Sequence, residues 1–245
     1  MDELWITEFL NKFMAGPVNA LLAALNIHAK DAANPITDAV AMQLVVAALL
    51  LIYFALVRAR LSVDDPGGIQ HFAEVLHEMF FQLSKDIIGH RHMDFLPYVM
   101  TLGLFIVTSN LIGLVPGLMS PTQTPAVPLG CALMTFVYYN AHGVRQQGFW
   151  RYMGHFCGPV WWLAWLMFPI EIISHLARIM SLTIRLFANM FAGELVTLAF
   201  FSLIPIGVPI IFLGLHLGVA LLQAFIFVLL TMIYLSMAVE EAEGH

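Results

Sequence analysis

Charged side chains are scarce in this chain of 245 residues, where Asp, Glu, Lys and Arg together make up 11% of the sequence. Soluble globular domains carry about 25% of such residues. Hydrophobic residues instead make up 60%, a balance that excludes an ordinary soluble enzyme or binding domain. Basic residues number 10 against 16 acidic ones, for a net charge of −6. That charge provides no basic surface for nucleic acid, so no nucleic-acid partner is expected.

Cysteine spacing, a signal peptide and catalytic motifs are also lacking. Cys131 and Cys157 show no metal or redox spacing, so no disulfide framework is predicted. No basic region precedes the first apolar run, which argues against a cleavable signal peptide. Neither Gly-x-Ser-x-Gly nor His-Glu-x-x-His occurs, so we expect no catalytic residue, no cofactor and no enzyme activity of the chain on its own. Four histidines offer no acceptable ligand set for a metal: His71, His77, His90 and His92.

Long apolar runs fill the chain instead and predict an all-α polytopic membrane protein in a single membrane domain, 1–245. The clearest run, 39–57, contains no charged residue. As a helix it reaches about 28 Å, close to the ~30 Å thickness of the hydrocarbon layer. Five transmembrane helices are predicted in all: 39–57, 95–115, 127–140, 169–203 and 209–239.

Two further segments are predicted to lie at the membrane surface. Residues 1–33 form a tail or an interfacial helix, since Trp5, Phe9 and Phe13 recur every four residues. Residues 69–88 alternate apolar and polar positions at helical spacing, which is typical of an amphipathic surface helix.

The arginines and lysines in the loops predict the orientation, because cytoplasmic loops carry an excess of them. Six of them fall on one side of the five spans: Arg58, Arg60, Lys85, Arg91, Arg145 and Arg151. The opposite side has only Lys12 and Lys30, in the N-terminal segment. We therefore expect the N-terminus outside, and the C-terminus and the surface helix on the cytoplasmic side.

The last two predicted helices are too long to stand upright in a membrane. Residues 169–203 and 209–239 would reach about 52 Å and about 46 Å as helices, and the usual tilt of about 20° does not absorb this excess. Either the helices contain breaks, or they are steeply inclined against a partner. Polar residues along their length favour inclination.

Polar residues in this hairpin form the candidate functional path: Arg185, Glu194, His216, Gln223, Asn189, Glu171 and His175. Arg185 is central, because a guanidinium stays charged at any accessible pH and an ionisable residue at membrane depth marks a functional site by default. Glu171, Arg178 and Arg185 recur every seven residues, with Asn189 four later, so they share one polar stripe of a helix.

Antiparallel pairing of the two helices around Pro205 predicts which residues share a depth. It brings Glu194 level with His216, and Arg185 level with Gln223. Each polar residue also has a structural interpretation. His216 and the two amides can serve as ordinary interhelical hydrogen-bond partners, and the residues nearer the inside, Glu171, His175 and Arg178, can form an ion-pair cluster.

The run SLTIRLFANMFAGELV, residues 181–196, closely resembles the signature segment of the subunit a family of F-type ATP synthases. The resemblance extends to Asn110 and to Leu114-Val115-Pro116. Many members of that family carry an acidic residue near position 113; Gly113 stands there in this chain, so no role is carried over to it.

The resemblance implies a proton-translocating stator subunit of a bacterial inner membrane, whose last two helices incline around a rotor ring. Its partners would be the carboxylates of the subunit c ring, subunit b of the peripheral stalk and the lipid bilayer. Glu194, His216 and Asn189 would line a half-channel from outside, and Glu171 with His175 one to the cytoplasm, with Arg185 separating them. Whether the ion is a proton or sodium stays open, because the rotor site decides it. The alternative is a self-contained ion channel or proton-coupled transporter, although no inverted repeat is evident.

Overall fold

A computed structural model of the chain describes residues 4–24, 34–63, 66–115, 117–148, 164–203 and 207–243. These ranges contain α-helices, short 3-10 turns and no strand, which confirms the predicted all-α fold. The helices are α1 (Trp5–Ala24), α2 (Asp38–Ala59), α3 (Gly68–Ile88), α4 (His92–Ile112), α5 (Ala126–Gln147), α6 (Ala164–Leu203) and α7 (Val208–Glu243).

Four described stretches are long and apolar enough to cross a membrane: Asp38–Ala59, Gly68–Ile112, Trp165–Ser202 and Pro209–Met237. The protein is therefore polytopic. The second stretch joins α3 to α4 through the 3-10 turn Gly89–Arg91, so the segment predicted as a surface helix leads directly into the next span. α5 is not among the four, because its second half is polar, although it packs against both α6 and α7.

α5 extends to Gln147, whereas the apolar pattern predicts an end at residue 140. Local hydrogen bonds hold the polar continuation in helical form. Asn140 Nδ2 donates to the Phe136 carbonyl at 2.7 Å, and His142 Nδ1 lies 3.0 Å from the Tyr138 carbonyl. The helix ends at Gly148, whose φ of 81° lies in the left-handed region that glycine adopts easily.

One hydrophobic cluster holds α6 and α7 against α4 and α5. Leu182, Leu186 and Met190, spaced by four residues, form the buried face of α6. Ala220 and Ala224 on α7 face this cluster, and such small side chains let two helices approach closely in a membrane. A second cluster joins α3, α4 and α7 through Phe80, Phe95, Val99, Met232 and Leu235, among others.

The opposite face of α6 is apolar and exposed. Its large hydrophobic side chains recur at helical spacing: Ile173, Leu176, Met180, Ile184, Leu195 and Leu198. The longest helix of the described chain thus packs on the rest of the protein with one face only. We call the exposed set the outer face of α6.

α1 turns its polar side inward. The Asn11 side chain pairs with both backbone groups of Ile36, at 3.0 and 3.1 Å. Thr7 Oγ1 donates to Asp38 Oδ1 at 2.6 Å. The aromatic stripe that suggested an interfacial helix, at positions 5, 9 and 13, is exposed. These contacts attach α1 to the start of α2.

Candidate functional site

Arg185 lies on the edge of α6 between its buried and exposed faces. Leu186 is fully buried, Ile184 is 52% exposed, and Arg185 is half-buried between them. The other members of the predicted stripe are also half-buried: Glu171, Arg178 and Asn189. Within the described ranges, Arg185 forms no hydrogen bond or ion pair. The stripe is therefore a continuous polar edge of one helix, whose central charge has no counter-ion among the residues described.

His216 on α7 is buried, with its ring against Gly193. It consequently lies at the depth of the next residue, Glu194, in agreement with the predicted register. No ion pair joins the two side chains, and His216 Nε2 has no hydrogen-bond partner in the part of the chain that the structure describes. The His216 imidazole and the Glu194 carboxylate thus lie at similar depth in the membrane but form no ion pair.

Gln223 bonds a neighbour of Arg185 in the polar stripe of α6. Its Oε1 accepts a hydrogen bond from Asn189 Nδ2 at 2.8 Å. Asn189 lies one turn, about 6 Å, beyond Arg185 along α6, so the Gln223 amide bonds the polar stripe one turn from the arginine, and the level of Gln223 with Arg185 stays a prediction. Gln223 Nε2 lacks a hydrogen-bond partner in the described ranges, like His216 Nε2.

A cavity of about 560 Å³ opens beside Glu194. Two further polar residues line it: Asp38 at the start of α2, and Gln123 from the segment between α4 and α5. Gln123 Oε1 is buried with no hydrogen-bond partner among the described residues. Sequence reasoning missed both, because they lie far from the hairpin in sequence and belong to no helical pattern.

Hydrogen bonds hold the segment between α4 and α5 against the hairpin. Thr122 Oγ1 donates to Asn110 Oδ1 at 2.7 Å, and Asn110 Nδ2 donates to the Ala220 carbonyl on α7 at 3.1 Å. Ser120 approaches Gly113 so closely that a Cβ atom there would lie 2.5 Å from the Ser120 Cβ. Asn110 thereby ties the wall of the cavity to α7 one turn from His216.

A second polar cluster lies near the other end of α6. His175 is buried, its Nδ1 lies 2.6 Å from the Tyr139 hydroxyl, and its Nε2 lies 3.5 Å from Glu171 Oε1. The Arg178 guanidinium lies over the Tyr234 ring, 5.2 Å from its centroid. Helical spacing predicted that Glu171 and His175 would be close together, but it gave no sign of Tyr139.

Between the two clusters, the buried face of α6 is largely apolar. Glu171 and Glu194 are about 35 Å apart along the helix axis, and Arg185 lies between them. The buried face of this stretch is apolar except for Thr183, whose hydroxyl donates to the Ile179 carbonyl of its own helix at 2.8 Å. A continuous chain of hydrogen bonds between the clusters is not formed by the described side chains.

Some predicted features lie outside the described residues, namely Cys157, Arg151, Pro205 and parts of 1–33. Among the residues that are described, no group of three or more His, Cys, Asp or Glu side chains is placed to hold a metal ion.

The family model described as ATP synthase A chain matches residues 40–236. The chain belongs to the ATP synthase A chain family. Proteins named ATP synthase subunit a are similar over nearly its whole length. That of Koribacter versatilis is 50% identical over 243 residues, 99% of this chain and 98% of the relative. That of Solibacter usitatus is 47% identical over 229 residues, 94% and 97% of the two chains.

A third relative, ATP synthase subunit a of Geotalea uraniireducens, is 43% identical over 208 residues, 85% of this chain and 89% of its own. The resemblance of residues 181–196 to the subunit a family is thus confirmed. All seven predicted site residues fall within the segment that matches the ATP synthase A chain family, whereas Asp38 lies just before it.

Proposed function

We propose that this chain is the proton-translocating stator subunit of a bacterial F-type ATP synthase, and that it presents two offset half-channels to the carboxylates of a subunit c ring. The chain itself catalyses no step on ATP. One observation carries the proposal: Arg185 lies half-buried on the edge of α6 with no counter-ion in the described chain, between two polar clusters that do not join.

The outer half-channel would begin in the cavity lined by Asp38, Gln123 and Glu194. From there the route passes His216 and then the hydrogen-bonded pair of Asn189 and Gln223. Three buried atoms on this route lack partners in the described chain, Gln123 Oε1, His216 Nε2 and Gln223 Nε2. Buried polar atoms are normally hydrogen-bonded, so all three could bond water in the half-channel, and the imidazole nitrogen of His216 could also take up a proton.

The inner half-channel would lie at Glu171 and His175. Glu171 is 39% exposed at its side chain, while His175 is 11% exposed, so the pair leads from the surface of the protein into its interior. The N-terminus would face outside and the C-terminus the cytoplasm, in accordance with the distribution of arginine and lysine.

Arg185 would separate the two half-channels. Its fixed positive charge attracts an arriving rotor carboxylate and favours the deprotonated form of that carboxylate. An arginine does not release its own proton, so a proton cannot pass through it from one half-channel to the other. Each elementary charge that crosses the membrane releases about 2.3 kcal/mol per 100 mV of membrane potential. Because the two half-channels are separate, that energy would be used to rotate the ring.

The outer face of α6 is the surface that we assign to the rotor. It is long, apolar and exposed, and the polar edge with Arg185 runs beside it. A ring of apolar helices could pack there while its carboxylates reach Arg185. The surrounding bilayer and subunit b of the peripheral stalk would cover other surfaces.

Arg185→Ala in the whole ATP synthase tests the proposal. ATP-driven proton pumping in inverted membrane vesicles should be lost, while the complex still co-purifies with its ring. Arg91→Ala is the matched control and should pump normally, because the Arg91 side chain is 40% exposed and, within the described ranges, its ion pair is with Asp94 at 3.0 Å. Full pumping by Arg185→Ala would refute the assignment.

Proton flux through the purified chain without a ring would instead indicate a self-contained channel.

A further inference from the structure

We propose that Tyr139 is a positioning residue of the inner half-channel, and that it holds His175 so that the imidazole exchanges protons with Glu171. This inference rests on the proposed function and assigns a role to a residue of α5, outside the hairpin.

Packing fixes the imidazole on both sides. The Tyr139 ring stacks on His175 with centroids 5.9 Å apart and planes 22° apart. The Phe136 ring meets the imidazole edge-on, with centroids 5.6 Å apart at 72°. Counted over the whole residue, Tyr139 is 5% exposed and His175 is 8% exposed. The ring of His175 therefore has one defined orientation, set largely by two residues of α5.

The two ring nitrogens of His175 have different neighbours. The Tyr139 hydroxyl lies 2.6 Å from Nδ1, and the Glu171 carboxylate lies 3.5 Å from Nε2. A hydroxyl can donate to a bare Nδ1 or accept from a protonated one. Tyr139 thus satisfies Nδ1 whether the imidazole is neutral or charged, and we assign the proton exchange to Nε2 because it faces Glu171.

The proton transfer takes place between two named atoms. When Glu171 is protonated, its carboxyl proton moves to Nε2 and leaves a carboxylate beside an imidazolium; the return step moves the same proton back. The Tyr139 hydroxyl keeps its own proton throughout. No other reactant is needed.

The positive charge of Arg178 opposes a lasting positive charge on the His175 ring. Arg178, three residues further along α6, borders the same small cavity as Tyr139 and Tyr234. Its fixed positive charge opposes a second positive charge nearby. Among the described residues, the charged or titratable groups around the pair of Glu171 and His175 are therefore Arg178, Tyr139 and Tyr234.

The variant Tyr139→Phe tests the inference, because it keeps the stacked ring and removes only the hydroxyl. Passive proton flux through the assembled membrane sector should fall several-fold, and its dependence on cytoplasmic pH should shift. In a His175→Leu background, Tyr139→Phe should cause no further loss. Tyr98→Phe is the matched control, since it removes a comparable hydroxyl bonded to Thr135 Oγ1 at 2.9 Å, and it should leave the pH profile unchanged.

An unchanged flux and pH profile for Tyr139→Phe would overturn the inference, as would the same loss in Tyr98→Phe. If Tyr139→Phe fails to assemble, His175→Gln serves in its place; it should also lower the flux and flatten its pH dependence, and normal behaviour would overturn the inference. The two proposals can fail separately. If Arg185→Ala abolishes pumping while Tyr139→Phe has no effect, only the inference is wrong.

Discussion

The imidazole ring of His216 lies directly against the backbone of Gly193. A Cβ atom on residue 193 would be 2.8 Å from both Cδ2 and Nε2 of that ring, which is closer than non-bonded carbon atoms pack. Glycine is therefore required for α6 and α7 to approach as they do beside Glu194. The depth of His216 depends on a residue with no side chain.

Gly193→Ala should push the His216 ring away from the depth of Glu194. Overpacking of this kind costs about 1–3 kcal/mol, and we expect passive proton flux to fall several-fold while the complex remains assembled. Flux through vesicles stripped of the ATP-hydrolysing head measures this. Gly218→Ala on α7 is the control, because its added Cβ atom meets nothing within 4 Å. Equal flux in the two variants would contradict the prediction.

Glu194→Gln combined with His216→Ala should slow passive proton flux without dismantling the complex. The first change removes the carboxylate from the cavity wall, and the second removes the buried imidazole at its depth. Glu78→Gln gives a matched control on the exposed side of α3, where Glu78 accepts a hydrogen bond from Gln82 at 2.6 Å. If the double variant conducts as well as the control, neither residue lies on the path.

Arg185→Lys should also pump poorly, even though it keeps a basic side chain. A lysine ammonium can lose its proton when buried, whereas a guanidinium does not, so the variant should leak protons between the half-channels. The readout is the decay of an imposed pH difference across vesicles. Arg91→Lys, the same change at an exposed position, should hold the gradient. If the Arg185→Lys enzyme is fully active and its vesicles hold the pH difference, a permanent charge at this position is not essential.

Helical spacing was enough to predict the polar edge of α6. Glu171, Arg178 and Arg185 recur every seven residues, and one uninterrupted helix puts them on one line whatever lies around it. The depth of His216 could also be predicted, since it needs only antiparallel pairing of the two helices about a predicted turn. The hydrogen bond between Gln223 and Asn189 could not be predicted, because packing decides which side chains pair, and sequence distance alone does not report packing.

Contacts between distant segments could not be predicted. Tyr139 precedes His175 by 36 residues and belongs to an unremarkable aromatic run, so nothing in the pattern links them. Asp38 looks like an ordinary first-turn acid of α2. The end of α5 was placed too early for a related reason: hydropathy falls at Asn140, but side-chain bonds to carbonyls one turn back continue the helix.

The wall of the outer cavity is drawn from distant parts of the chain. Leu4 and Asp38 line it from the beginning of the chain, and both precede the segment 40–236 that matches the family, while Glu194 lies within that segment. A small-molecule inhibitor that fills the cavity would therefore contact the hairpin and the start of α2 at once.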